Sequence, residues 1–444
     1  MEKKTRSIAL ASTTLILFLI LALTMASAAS TQRVVGNLTL TETQITTNHS
    51  SQEMPAIYGD TIVWEDNRNG EGCTLYAYNI STSEETPLSD NYVGEFKASI
   101  YGDRVVWQYI IDGYPYAHMY NLSTSTETQI TVNPAWEPII YGDKIVCTDG
   151  RAWLNGNTDS DNADVYMYDV FTSQETQITT NESWQGEPAI YKDRIVWKDA
   201  RNGVIYSPAD IYMYNVTTAT ETQITDDNYD QYTPDIYEDR IVWSDNRNGA
   251  GNWDVYMYNI STGTETQITT DVSSQEYPVI YGDRIVWQDM RNGGYDVYMY
   301  DLSTSTETQI TDNAWDQIYP KIYENKIVWE DFRNGMNVYD YHDRNPDIYM
   351  CTISENGSAP ERPCADFSAN VTCGYAPLTV QFTDISENAV KWYWDFGDKT
   401  YSADQNPVHT YSKEGKYTVS LTVKNADGTN TEAKAKCISI SKGK

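Results

Sequence analysis

The chain is 444 residues long, too long for one ordinary core, so two or more domains are expected. It carries 63 acidic and 31 basic side chains, a formal net charge of −32. Such a surface repels phosphate backbones, which sets nucleic acid aside as a partner, and suits solubility, high-salt media or divalent cations.

The first residues address the compartment. Lys3, Lys4 and Arg6 precede an apolar run from Ile8 to Leu23, and small residues follow at Ala26, Ser27 and Ala28. Residues 1–28 therefore read as a secretory signal peptide cut after Ala28. A retained membrane anchor is the alternative, although the run is short for a spanning helix. No second apolar run follows, and the C-terminal SISKGK is polar. The mature chain is thus expected outside the cell, with no transmembrane helix, secreted or held at the envelope by a partner.

From residue 37 onward the chain repeats itself. An Ile-Tyr pair recurs with its tyrosine at Tyr58, Tyr101, Tyr141, Tyr191, Tyr237, Tyr281 and Tyr323, at spacings of 40 to 50 residues. A period in the forties with strand-like content is the signature of propeller blades. Within residues 276–311, YPVIYG predicts an inner strand, RIVWQD a second, VYMYD a third and TETQIT a fourth. Ile285 and Trp287 alternate with Val286, and Val297 and Met299 with Tyr298 and Tyr300, so both faces of each sheet are apolar or aromatic. Blades stacked face to face around an axis bury both sides, whereas a solenoid leaves two exposed ends. The Gly282-Asp283 pair makes a tight turn. Lys192, Glu238 and Glu324 replace its glycine elsewhere, so positive φ is not expected to be obligatory there. NLTLTETQIT, residues 37–46, looks like an orphan fourth strand, and the seventh repeat stops after its third, DIYMCTIS, so the two ends can close a seven-bladed ring.

These units, such as IYGDRIVWQDMRNGGYDVYMYDLSTSTETQIT, resemble the TolB-like propeller repeat, closest to versions in archaeal cell-surface proteins. They depart from it in placing Tyr-Gly-Asp where the TolB pattern has Ser-Pro-Asp-Gly. After the linker at 355–362, residues 363–444 change character: alternating apolar strands surround Trp394-Asp395-Phe396-Gly397-Asp398 and His409-Thr410-Tyr411. That set resembles the PKD domain, which implies an immunoglobulin-like sandwich serving as a spacer or adhesive module. Lys399 stands where that family prefers Gly. The expected architecture is all-β: a propeller over residues 29–354 and a PKD sandwich.

Nine N-x-S/T sequons occur, at Asn37, Asn48, Asn79, Asn121, Asn181, Asn215, Asn259, Asn356 and Asn370. Asn79, Asn121, Asn215 and Asn259 share one repeat position, an exposed turn, and glycosylation is expected. Of six cysteines, Cys147 replaces the blade tryptophan and should be a buried thiol. A disulfide is expected within the set Cys364, Cys373 and Cys437.

Six Asp-x-Arg pairs (Asp66/Arg68, Asp149/Arg151, Asp199/Arg201, Asp245/Arg247, Asp289/Arg291 and Asp331/Arg333) could form an arginine ring for an acidic ligand. Repetition favours instead a brace for the Asn-Gly loop that follows. The loops before each inner strand carry Tyr92, Trp136, Trp184, Tyr229 and Trp315 beside Gln185, Gln231 and Gln317. Aromatics with amides suit stacking on sugar rings, and the alternative is rings packed over loop bases. Asn157, Asp159 and Asp161 are spaced like the start of a calcium loop, but Asn162 and Tyr168 replace its Gly and Glu. Four histidines (His49, His118, His342 and His409) are scattered, and no catalytic or phosphate-binding motif is present, so no organic cofactor is expected. The expectation is a non-catalytic surface protein binding an envelope glycan or a surface protein. A polysaccharide-cleaving enzyme and a purely structural envelope component are the alternatives, and an asymmetric charged pocket would favour the enzyme.

Overall fold

The computed structural model describes residues 30–70, 72–89, 97–151, 162–203, 208–249, 251–334, 345–355, 363–386, 388–425 and 428–442. The expected signal peptide lies outside them, as do Tyr92, Asn157, Asp159, Asp161, His342 and Asn356. Every regular element among the described residues is a strand, and none is a helix long and apolar enough to cross a membrane. The chain divides after Ser354 into two compact units.

The first unit holds seven antiparallel sheets, six of four strands and one of five. Blade six runs Gln275–Tyr281, Arg284–Asp289, Asp296–Asp301 and Thr306–Gln309. Its register pairs Tyr281 with Arg284 across the turn and Ile285 with Tyr300. Period-two alternation then sends Ile285, Trp287 and Tyr298 to one face, packed on Val242, Val255 and Met257 of blade five. Val286, Val297 and Met299 pack on the other face against Ile327 and Trp329 of blade seven. Seven such clusters occupy the seven blade interfaces. One of them joins Val328 and Met350 of blade seven to Ile62 and Trp64 of blade one, and so closes the ring. Trp287 and its five equivalents are wholly buried, and Cys147 fills the place in blade three as expected.

Closure takes two strands where the sequence reading expects one. Leu38–Gln44 pairs with Asp347–Glu355 as the fourth strand of blade seven, and Ser30–Val35 adds a fifth outside it. Arg33 of the extra strand donates to the carbonyls of Gln309 (2.8 Å) and Ile310 (2.9 Å) in blade six. The cover matters for burial. Leu38 and Leu40 are buried, whereas the fourth strand of blade five, Thr264–Gln267, is exposed throughout.

One expectation is overturned. Lys192, Glu238 and Glu324 keep φ of 54° to 55°, close to the 59° to 61° of Gly59, Gly102, Gly142 and Gly282. Strand pairing on both sides fixes the two-residue turn, as in Tyr191 opposite Arg194, so the backbone stays left-handed whatever the side chain. Each substitution costs about 1 kcal/mol.

The second unit packs a three-stranded sheet and a five-stranded sheet around Phe367, Phe382, Trp394, Phe396 and Tyr411. Tyr411 donates its hydroxyl to the Phe396 carbonyl at 3.0 Å. His409 stacks on Phe396 and meets Asp398 at 2.8 Å, so the WDFGD and HTY segments form one core corner. Lys399 sits at φ 75°, the conformation for which the family's glycine is suited. The expected disulfide is not formed: Cys364, Cys373 and Cys437 are all free thiols.

Candidate functional site

The repeated Asp-x-Arg pairs are internal braces. In blade six Trp287 Nε1 donates to Asp289 (2.9 Å), Arg291 Nε donates to the same carboxylate (2.9 Å), and Arg291 Nη1 reaches Glu307 at 2.5 Å. The guanidinium also lies 4.3 Å from the Tyr298 ring centre. Blade seven takes its glutamate from the N-terminal strand, Arg333 to Glu42 at 2.6 Å, so the brace is also a closure clamp. Blade two has Tyr109 and His118 in the Asp and Tyr places. His118 Nδ1 takes up Glu127 at 2.8 Å, and Trp107 Nε1 is left without an acceptor. No arginine of the set is free for an acidic ligand.

The expected loop aromatics do not form a ring. Trp136 and Trp184 cover glycines, since a Cβ on Gly150 or Gly186 would strike their rings. Trp315 is half-buried, and Tyr229 is 48 % exposed. Trp136 follows the inner-strand start, Trp184 precedes it by one residue, and Tyr229 and Trp315 by two, so their directions differ. The neighbouring glutamines are wholly buried. Gln231 Nε2 donates to the Tyr229 carbonyl (2.9 Å), and Gln185 and Gln317 likewise tie to carbonyls two residues back. They hold loops and offer nothing to a ligand.

What the inner strands build instead is a cup on the ring axis, with a volume near 360 Å³. Beyond its lining residues, at the far end of the inner strands, stand the repeated tyrosines. Each ring touches the next all the way round, with centroids 4.6 to 5.0 Å apart, from Tyr58–Tyr101 through to Tyr323–Tyr58. Burial and the neighbouring phenols push Tyr58 up to about 12. Its rim is made by bulges. Met54, Glu137, Glu187, Thr233, Tyr277 and Tyr319 each precede a proline at φ 50° to 55°, where the inner-strand register slips. Blade two places Lys97 there at φ 23°. A bulge re-aims its side chain, and here all seven line the cup. Side chains of adjacent second strands take the freed amides: Met54 N donates to Glu330 (2.7 Å), Tyr277 N to Ser244 (3.2 Å) and Tyr319 N to Gln288 (3.1 Å). Residues at φ > 0 cluster where function demands a fixed geometry.

The cup breaks the repeat. At its middle level stand Ala56, Ser99, Ile139, Ala189, Asp235, Val279 and Lys321, one from each blade. Asp235 is half-buried and Lys321 is exposed to the cup, with protein packed closely around both. Burial holds the Asp235 carboxyl above the usual carboxylate range and Lys321 below the usual ammonium range. Tyr232, Tyr277 and Tyr319 form an edge-to-face aromatic wall, at 5.8 and 5.1 Å. The sequence reading missed all these residues. Its available signal was the column on each side of the repeated proline, variable between otherwise constant positions.

Faces separate by strand direction. Inner strands run from the rim to the tyrosines, so the mouth opens on the side of the Asn-Gly loops. The shared sequon turn follows the third strand, at the tyrosine end of the blade. There Asn79, Asn121, Asn215 and Asn259 are half-buried, and each accepts an amide at 2.9 Å through its side-chain carbonyl. Asn37, Asn48 and Asn370 are exposed, and Asn181 is half-buried. Among the described residues no group of three His, Cys, Asp or Glu could hold a metal ion.

The fold and core corner define a seven-bladed β-propeller joined to a PKD domain. The PKD family profile matches residues 358–440. The chain is 43% identical over 53 residues to collagenase ColA of Bacillus cereus, and 41% identical over 51 residues to a microbial collagenase of Vibrio alginolyticus. Each match spans 12% of this chain and 6% of the collagenase. The propeller superposes on an oligogalacturonate lyase solved with manganese (TM-score 0.51, 14% identity, 74% of this chain and 97% of that one). It also superposes on the propeller of the trilobed protease of Pyrococcus furiosus (TM-score 0.53, 11% identity, 71% and 98%). TolB of Acinetobacter baumannii superposes at TM-score 0.40, with 14% identity, 64% of this chain and 77% of that one. At these identities the likeness is one of fold. The Pyrococcus propeller is described as having an open velcro topology; here the N-terminal strands close the ring.

Proposed function

We propose that this is a secreted or surface-held binding protein, not an enzyme, whose ligand enters the cup from the mouth face. The ligand is a glycan or a surface protein presenting a group small enough for the cup. The PKD domain acts as spacer or adhesive module. The observation that carries this reading is the placement of variation. Braces, tyrosine ring and interfaces repeat, while Lys97, Glu137, Asp235, Tyr277, Tyr319 and Lys321 break the symmetry inside one cup. The four repeated sequon turns lie at the end away from the mouth, while Asn48 and Asn181 stand in loops on the mouth side.

The same asymmetry favours polysaccharide cleavage as a second reading, because Asp235, Lys321 and the cup tyrosines include groups able to move protons. One experiment separates the two. The full chain is passed over native envelope and polysaccharide fractions, and both retention and new reducing ends are measured. Saturable retention, lost in Tyr277→Ala/Tyr319→Ala and without new chain ends, supports binding. Turnover supports the enzyme. No retention and no cleavage overturns both and leaves a structural envelope component.

A further inference from the structure

The cup holds two charges of opposite sign that lie within electrostatic reach of each other but are joined by no direct ion pair. At the rim Lys97 pairs with Glu137, and Glu187 is held by Lys198 (3.7 Å) and by the Thr233 amide (3.0 Å). One level deeper Asp235 and Lys321 stand on blades five and seven, with Val279 of blade six between them. Asp235 accepts the Ile280 amide at 2.9 Å. Among the described residues no ion pair within 4.0 Å engages either side chain. The rest of that level is Ala56, Ser99, Ile139 and Ala189, which bring no counter-ion.

We propose that the cup binds a small zwitterion, an amino-acid-like molecule whose carboxylate meets Lys321 Nζ and whose ammonium meets the Asp235 carboxylate. This rests on the reading of the cup as the ligand site and names its ligand class. Asp235 is half-buried and Lys321 faces the open cup, so a ligand charge can reach each of them, and it must replace the hydration that its binding displaces. A simple anion would satisfy Lys321, leave Asp235 unmatched and approach a chain of net charge −32. A simple cation would reverse the fault. A dipolar molecule answers both charges while remaining neutral, so the overall field does not repel it. The volume, 360 Å³, falls in the range of about 300–1,000 Å³ usual for small-molecule sites. Tyr277 and Tyr319, which line the cup edge to face, give a substituent on the same molecule an aromatic surface to rest on.

The test is calorimetric titration of the full chain with glycine, phenylalanine and glycylglycine, with acetate and methylammonium as single-charge controls. The expected result is saturable binding of at least one zwitterion, about tenfold or more tighter than either control. Lys321→Met and Asp235→Asn should each weaken it by about tenfold with the melting temperature retained; Lys321→Gln serves if the first variant does not fold. Absence of zwitterion binding, equal binding of acetate, or unchanged binding in folded variants overturns the proposal. Retention on envelope fractions is measured in parallel. Retention without zwitterion binding overturns the ligand class alone, and loss of both overturns the cup as a binding site.

Discussion

Glu330→Gln should stabilise the propeller, increasingly so as pH rises. Glu330 is buried on the second strand of blade seven, 3 % exposed, and accepts the Met54 amide at 2.7 Å across the closing interface. Burial first, then the charges of Glu53 and Glu65, push its carboxyl well above the ordinary value of 4.5, so the native state holds a proton that the unfolded chain has released. A folded-state pKa raised in this way gives stability present below 4.5 and lost as pH rises towards the folded value. One proton of difference changes stability by about 1.4 kcal/mol per pH unit. From about pH 5 to about pH 7 the natural protein should therefore lose up to about 3 kcal/mol through this group. Glutamine keeps the acceptor and cannot ionise, and blades two and six already carry Gln108 and Gln288 in this place. Urea unfolding of both proteins at several pH values measures the effect, and the variant's advantage should widen with pH. Parallel stability curves would refute the reasoning. Glu330→Ala checks the hydrogen bond separately, because an orphaned buried amide costs about 1–3 kcal/mol at every pH.

Leu40→Ala should destabilise the propeller by about 2–5 kcal/mol and loosen the blade-seven seam, read as faster amide exchange in Asp347–Glu355. Arg333→Met should lower stability as well, since it leaves the wholly buried Asp331 without its counter-charge, whereas Glu42→Gln should cost less because Glu42 lies at the surface end of the clamp. Lys192→Gly, Glu238→Gly and Glu324→Gly should each raise stability by up to about 1 kcal/mol, checked by urea midpoints, because each relieves a left-handed backbone held by a side-chain-bearing residue. Trp287→Ala should cost about 3–5 kcal/mol by the same assay, as the ring fills the interface of blades five and six.

The blade count and the strand order were legible because strand periodicity and a repeat near forty residues are local properties of the chain. The brace role of the arginines was legible too, since six copies of Asp289/Arg291 suit scaffolding better than one special place. Trp136, Trp184 and the buried glutamines misled because residue type does not say which way a loop side chain points. Trp136 turns onto Gly150, and Gln231 turns back on its own loop. Lys192, Glu238 and Glu324 misled in the opposite sense: a side chain that disfavours positive φ was read as freeing the turn from it, but the ladder on each side fixed the backbone.

The sequence by itself determined an all-β chain of seven similar units, a closing segment near its start and a PKD-like end, because alternation, turn residues and repetition act over a few residues. The tertiary structure alone decided what stands on the axis. Ring closure brings one residue from each blade to a common level, over separations of tens to hundreds of positions. Only there do seven tyrosines become a closed ring, seven bulges a rim, and Asp235 and Lys321 two charges in one cup.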